Sequence, residues 1–412
     1  MIMLAVRLNA RRSWLSTGTF RLALFAVFTG IAMGSVWADP LAGQVTLAYQ
    51  ETPLTVGGWS ISITPQTTPF KKESPSSPGQ LVRGVLNFGD GTSNAIPFLW
   101  QRDAGKLFLD LNRNQDLTDD PAGNLTASLK TSSSFQTFTN VHLGFNTDRG
   151  RIQVLADLNL WDYGNRPGGN LSLRCIWQGR VTLQGQDWQV GLVPTIWSGT
   201  NRIRIVSIEN GHLLLRPWQN RDPAFNSYGS ENIGPASQKL FFGGHAYQLI
   251  LPPGSADGEF KAALGFLEQP VALGDLKITG KYVSRLLLPG SYRVILDHPA
   301  DTVKIPVGSY HPPTVFLEQG GVEARCKVGG GPVTKTIAVV VDGKAPAVLD
   351  IGGPLTNSVA ITPHGQDLLL DYSLVGAGGT LYQLMNQNQS KPPEFAVYRG
   401  GKPIASGRFE FG

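Results

Sequence analysis

Only two cysteines, Cys175 and Cys326, occur in 412 residues. That excludes a disulfide-knit miniature scaffold and a thiolate zinc ribbon, which need several spaced cysteines. The two thiols either form one bridge or stay free as small apolar residues. Their spacing in sequence cannot show whether the Cα atoms approach within ~7 Å. Histidine is scarce too. His142, His212, His245, His298, His311 and His364 are scattered, with no His-x3-His or His-Glu-x-x-His unit, so local spacing supports no zinc site. No Gly-x-Ser-x-Gly elbow is present. Gly274 to Lys281 has one residue too many for a phosphate loop, and Tyr282 stands where it needs Ser or Thr. Gly376, Gly378 and Gly379 lack the spacing and the following helix of a dinucleotide loop. Long 3.6-residue periodicity is missing as well, apart from the N-terminal segment.

That segment reads as an export signal. Arg7, Arg11, Arg12 and Arg21 form a basic stretch, and Leu22 to Trp37 is apolar. Ala38 fits the small-residue cleavage rule, so residues 1–38 are expected to be removed. The apolar run falls short of the ~20 residues that span a bilayer; an uncleaved anchor is the alternative. No cysteine follows it for lipid attachment. Arg11, Arg12, Ser13, Trp14 and Leu15 resemble a twin-arginine signal with Trp in place of Phe; the general secretory route is placed ahead of it. The whole chain has 35 basic and 30 acidic residues. Removing the four signal arginines leaves 31 against 30, a net of +1. Such a chain has no bulk field for nucleic acid or an anionic membrane. It is expected to be periplasmic or extracellular, with no transmembrane span in its mature part.

Strand signals are abundant. Ile152, Val154, Ala156 and Leu158 alternate onto one face. Arg180–Leu183 and Trp188–Val193 flank a turn at Gln184, Gly185, Gln186 and Asp187. Arg202–Ile208 and His212–Leu215 flank Asn210 and Gly211, a pair that accepts positive φ and predicts a hairpin. Asp90-Gly91, Asp257-Gly258 and Asp342-Gly343 repeat that logic. Gly258 to Gln269 alone has the pattern of a short helix. Forty-nine glycines and 28 prolines, spread without period, suit short strands and tight turns. The expected fold class is all-β: two or three consecutive antiparallel β-sandwich domains after the signal.

The densest chemistry lies at residues 110–120. Seven carboxylate and carboxamide side chains fall in eleven residues, directly after the apolar Leu107–Leu109. Alternating acids and amides can fold hard oxygen ligands around one Ca²⁺. Asp110, Asn112 and Asn114 match positions one, three and five of the EF-hand pattern. The Asp116 carbonyl would take position seven, and Thr118 or its water position nine. Two departures stand out: Gln115 replaces the turn glycine, and Pro121 occupies position twelve. The bidentate acid must then be Asp119 or Asp120. With a strand in front, the stretch resembles the strand-flanked calcium loops of exported proteins, including dockerin-related ones. The resemblance implies a structural Ca²⁺. The plain alternative is a solvated turn capped by its own side chains.

Domain boundaries follow composition. Residues 1–38 are the signal. Residues 39–195 form a Trp-rich domain with the calcium loop; all seven tryptophans beyond the signal (Trp59, Trp100, Trp161, Trp177, Trp188, Trp197, Trp218) precede residue 219. Thr67 to Gln80 reads as an exposed loop. Residues 196–330 carry an echo: Pro289, Gly290, Ser291 and Tyr292 recur as Pro306, Gly308, Ser309 and Tyr310. The first copy resembles the Pro-Gly-x-Tyr turn of transthyretin-like and carboxypeptidase-regulatory-like sandwiches. Residues 331–412 follow a linker at Gly329–Val333. There Leu368–Leu374 reads as a buried strand, with Thr380–Leu384, Phe395–Tyr398 and Gly407–Phe411 as its companions. This stretch resembles immunoglobulin-like modules of bacterial exported proteins.

The functional expectation is a non-catalytic, calcium-stabilised binding or scaffold protein whose ligand is a glycan or a protein of the envelope or exterior. The alternative is a glycan hydrolase or carbohydrate-binding accessory protein with its site in the Trp-rich half. Asp157 and Asp162 around Trp161 are the best carboxylate pair for that alternative. Strand-end acids beside a core tryptophan explain the same residues.

Overall fold

The computed structural model describes residues 41–73, 81–132, 134–163, 166–198, 203–218, 225, 229–254, 258–326, 338–365, 367–385, 394–399 and 401–409. The expected signal and the Gly329–Val333 linker lie outside them. The fold is all-β: many strands and three short 3₁₀ turns occur, and no α-helix among the described residues. No helix there is long and apolar enough to cross a membrane.

Three sheets carry most of the chain. A nine-stranded sheet runs from Asn124–Thr126 through Lys106–Leu109, Ala95–Gln101, Leu81–Asn87, Gly57–Pro65, Pro167–Leu173, Gly150–Asp162 and Phe135–Thr147 to Leu129–Ser132. A five-stranded sheet orders Asn232–Pro235, Arg204–Pro217, Gln186–Ser198, Cys175–Leu183 and Ala48–Glu51. An eleven-stranded sheet starts at Gly43–Thr46 and Ala263–Gln269 and ends at Asp367–Val375 and Thr356–His364. Ladder pairing is antiparallel except where Lys239–Phe242 meets Arg293–Asp297 and where Leu273–Ile278 meets Ala347–Leu349.

Alternation builds the core. Ile152, Val154, Ala156 and Leu158 are all buried as their spacing predicts. A bulge opposite Ala156 and Leu158 puts Asn140 at positive φ. The expected turn over Gln184–Asp187 is tighter than its four residues: Gln184 and Gly185 both have positive φ and close a two-residue hairpin, with Gln186 and Asp187 already paired in the ladder. The two Pro-Gly-Ser-Tyr copies meet each other: Gly290 bridges Tyr310, and the His311 N–H donates to the Pro289 carbonyl at 2.8 Å. Tyr310 is buried, its hydroxyl on the Pro306 carbonyl at 2.5 Å; Tyr292 is half-buried.

Four local expectations fail. Asp342 and Gly343 make no hairpin, because Val339–Val341 pairs with Gly308–Tyr310 and Ala347–Leu349 with Leu273–Ile278. Asn210 and Gly211 make no hairpin, because Arg204–Pro217 is one strand. Val193 pairs with His212 and Thr195 with Ser207, so residues 208–211 bulge out opposite Pro194. Ser207 Oγ accepts the Asn210 N–H at 2.9 Å, and Asp148 accepts the Ile208 N–H at 2.8 Å. Gly211 serves close approach, since a Cβ there would lie 2.6 Å from the Val193 carbonyl oxygen. The short helix is absent too. Ala263–Gln269 is a strand paired on both sides, with Leu264 and Phe266 buried. Leu368 and Leu369 are exposed rather than buried, on a hairpin with Thr356–His364.

Residues 40–412 form one compact unit. The break expected near residue 195 falls inside strand Gln186–Ser198. One large apolar core crosses it, joining Trp59, Trp100 and Leu158 to Leu240, Tyr247 and Phe266. A second core gathers Leu276, Leu286, Tyr310, Val341 and Tyr382. Arg285 stands at the joint. Its Nη2 donates to the Leu215 carbonyl at 2.6 Å, and its Nε lies 3.3 Å from Asp297 Oδ1. Burial pushes the Arg285 pKa down and the Asp297 pKa up; their mutual attraction opposes both shifts. Cys175 lies in the first core and Cys326 in the second, both buried and free. Burial raises the Cys175 thiol to about 11.

Candidate calcium loop and aromatic cleft

Strand Lys106–Leu109 delivers Asp110 into the interior. Its N–H donates to the Pro97 carbonyl at 2.9 Å, and the residue is 0% exposed. Its carboxylate then closes the loop: Oδ1 accepts the Asn114 N–H at 3.1 Å, and Oδ2 accepts the Gln115 N–H at 2.9 Å. The alternating side chains build a ladder of Asx turns. Asn112 Oδ1 accepts the Asn114 N–H (3.0 Å), Asn114 Oδ1 the Asp116 N–H (2.6 Å), and Asp116 Oδ1 the Thr118 N–H (3.0 Å). Arg113 and Gln115, between them, have φ of 62° and 67°. Gln115 therefore makes the left-handed turn without the usual glycine, held there by Asp110.

The seven predicted residues divide. Asn112 and Asn114 direct their Nδ2 groups at the two oxygens of Asp119, at 3.3 and 2.6 Å. Asp110 bonds to the backbone of the same turn. Asp116 is drawn away to Lys72 Nζ at 2.6 Å and to the Thr118 hydroxyl. The hydrogen bond from Lys72 holds the Asp116 carboxyl down at about 2. Asp120 turns inward, accepting the Leu111 N–H at 3.0 Å, and burial raises its pKa. So Asp119 stands with the amides, and Asp120 caps the base of the loop.

Phe70 to Glu73 completes the site, although the sequence suggested only a solvated loop there. Leu117 N–H donates to the Lys72 carbonyl at 3.0 Å, and Leu117 packs with Phe70, Leu99 and Phe108 in a small core. Residues 74–80 of that expected loop lie outside the described residues. The donor set fits Ca²⁺ chemically: hard oxygens from a buried carboxylate, two amides and an exposed carboxylate. Among the described residues no three His, Cys, Asp or Glu side chains group as metal ligands; the loop mixes acids with amides. A cation there competes with the two Asn NH₂ groups on Asp119.

The carboxylate pair proposed for sugar chemistry is otherwise engaged. Asp162 pairs with Arg102 at 2.8 Å, and Asp157 with Arg174 at 3.4 Å. Trp59, Trp100, Trp177 and Trp188 are buried. Trp100 Nε1 donates to Gln136 at 2.8 Å, and Trp59 Nε1 to the Pro194 carbonyl at 3.1 Å. These rings fill the core. The histidines stay scattered: His245 meets Glu268 at 2.8 Å, and burial lowers the His212 pKa.

An open cleft of about 250 Å³ lies elsewhere in the Trp-rich half. Strand Ala48–Glu51 supplies Tyr49 and Glu51, its neighbour Cys175–Leu183 supplies Trp177, and Phe135–Thr147 and Gly150–Asp162 of the nine-stranded sheet supply His142, Arg151 and Gln153. A bridge between Arg151 and Glu259 brings in Glu259 and Phe260. Tyr49, Trp177 and Phe260 form an edge-to-face row with ring centroids 5.4 and 5.9 Å apart. Among the described residues the side chains of Glu51, His142, Arg151 and Glu259 make no hydrogen bond or ion pair. Sequence reading missed this group because its members come from four distant segments. No family model, curated protein or solved structure matches the chain.

Proposed function

We propose that this chain is an exported, non-catalytic binding protein built from β-sandwich modules, with one structural Ca²⁺ held by the 110–120 loop. The observation that carries this reading is the meeting of Asn112, Asn114 and Asp119 above buried Asp110. Asp110, Asn112, Asn114 and Asp119 would hold the ion; Asp116, Thr118 and Asp120 support the loop around it. The cation would join strand Lys106–Leu109 to the segment carrying Leu117, a rigidifying role suited to exported modules. Thermal melts with millimolar calcium and with chelator test it. A higher melting temperature in calcium is expected; identical melts would sink the reading.

The ligand site of this reading is the Tyr49 cleft, where charged groups with no partner among the described residues, and Gln153, surround an aromatic row. That mix suits a saccharide, whose ring stacks on aromatics while its hydroxyls take planar polar partners. A second reading, a glycan hydrolase, is favoured by one feature: Glu51 and Glu259 both line the cleft, from different elements. Reducing-end release from soluble polysaccharides separates the two. Binding without release supports the binding protein. Release that disappears in both Glu51→Gln and Glu259→Gln would replace it with the hydrolase.

A further inference from the structure

The eleven-stranded sheet ends on strand Thr356–His364, which pairs with Asp367–Val375 on one side and with no described strand on the other. Edge strands of soluble proteins are usually blunted by charge, proline, a bulge or a cover. This one holds no Asp, Glu, Lys or Arg, and its only proline, Pro363, sits next to its end. All nine side chains are exposed. The register places Val359 and Ile361 on one face with Leu368, Leu370 and Tyr372. Ile361 is 62% exposed and Leu368 61%. An open row of backbone N–H and C=O groups, roughly 30 Å long by the rise of a strand, thus borders an apolar face.

The strand is also self-complementary. Ser358, Val359, Ala360, Ile361 and Thr362 read alike in both directions: hydroxyl, β-branched apolar, alanine, β-branched apolar, hydroxyl. Two copies laid antiparallel about a twofold axis at Ala360 put Val359 opposite Ile361 and Ser358 opposite Thr362. These are pairs that stabilise antiparallel ladders, and no like charges meet. Self-match of one patch is what a twofold interface requires; a foreign partner requires no such palindrome. We infer that strand Thr356–His364 is a homodimer interface, joining two copies edge to edge into one continuous sheet.

Sedimentation of the purified protein tests this, with two double variants. Val359→Lys with Ile361→Lys sets lysine against lysine twice across the axis. Val359→Glu with Ile361→Glu does the same with glutamates. Both positions are exposed, so the melting temperature of each variant should match that of its parent at equal monomer content. The expected result is a wild-type dimer, two monomeric variants, and a dimer restored on mixing the variants one to one. A wild-type monomer at every soluble concentration overturns the inference. So do variants that remain dimeric, or a mixture that stays monomeric.

Discussion

Replacing Asp110 by alanine tests how much of the loop is self-supporting. The side chain is fully buried, and its two oxygens satisfy the backbone N–H groups of Asn114 and Gln115. Removing it leaves the Gln115 N–H without its acceptor, while the Asn114 N–H keeps Asn112 Oδ1; at about 1–3 kcal/mol for one lost partner, Asp110→Ala should cost ~1–3 kcal/mol even in chelator. Asp119 differs, because its bonds to the two amides are exposed. Asp119→Ala should cost less than ~1 kcal/mol in chelator. Calcium separates the two sites further. With the weak affinity of extracellular modules, Kd about 10⁻⁴–10⁻³ M, calcium at about 10 mM adds about 1.4–2.7 kcal/mol to the folded state. Asp119→Ala should lose that increment. Urea unfolding of wild type and both variants, with calcium and with chelator, reads all four quantities. A loss below ~1 kcal/mol for Asp110→Ala in chelator would refute the buried-acceptor reasoning.

Three more outcomes are expected. Lys72 holds the folded Asp116 carboxyl at about 2, below its ordinary 3.8. The stability from this pair is therefore full above the unfolded value and is lost as pH falls from 3.8 towards 2; the gap between wild type and Asp116→Asn in urea midpoint should close across that window, and a constant gap would contradict it. Gln115 holds a left-handed conformation, which costs an L-residue ~1–2 kcal/mol, partly offset by the extra chain entropy of glycine. Gln115→Gly should thus stabilise by up to ~1 kcal/mol in urea unfolding, and destabilisation would show that the side chain contributes more than its backbone strain. Arg285→Met leaves half-buried Asp297 without its cation and should cost ~2–4 kcal/mol, with most of the loss recovered by adding Asp297→Leu; equal instability of the single and double variants would refute the ion-pair account.

Strand content was legible because burial on one face imposes a period of two, as Ile152, Val154, Ala156 and Leu158 show. Turn residues were legible where the turn is local, as at Gln184 and Gly185. Asn210 and Gly211 misled because the same permissive backbone serves a bulge pinned by Asp148 and Ser207, both distant in sequence or hidden in the ladder. The expected helix over Gly258–Gln269 failed for a related reason: pairing with two other strands overrides local pattern. Leu374 is buried as expected, but Leu368 and Leu369 are not, because apolar composition does not say whether anything covers a face. At the loop, residue types and spacing picked out the acids and amides. The division of labour between Asp119 and Asp120 follows from which loop groups face them, the Asn112 and Asn114 amides or the Leu111 N–H, which spacing does not reveal; the role of Lys72 and Phe70 depends on a segment some 40 residues earlier in the chain. The Tyr49 cleft had no local signal at all, because topology alone assembles it.

Calcium titrated by calorimetry into the metal-free protein, and into Asp119→Ala beside it, tests the central claim most directly. The account predicts one saturable site per chain in the wild type, with Kd of about 10⁻⁴–10⁻³ M, and no saturable heat in the variant. No saturable heat in the wild type, or equal binding in both proteins, would contradict it and leave residues 110–120 a turn closed by its own side chains.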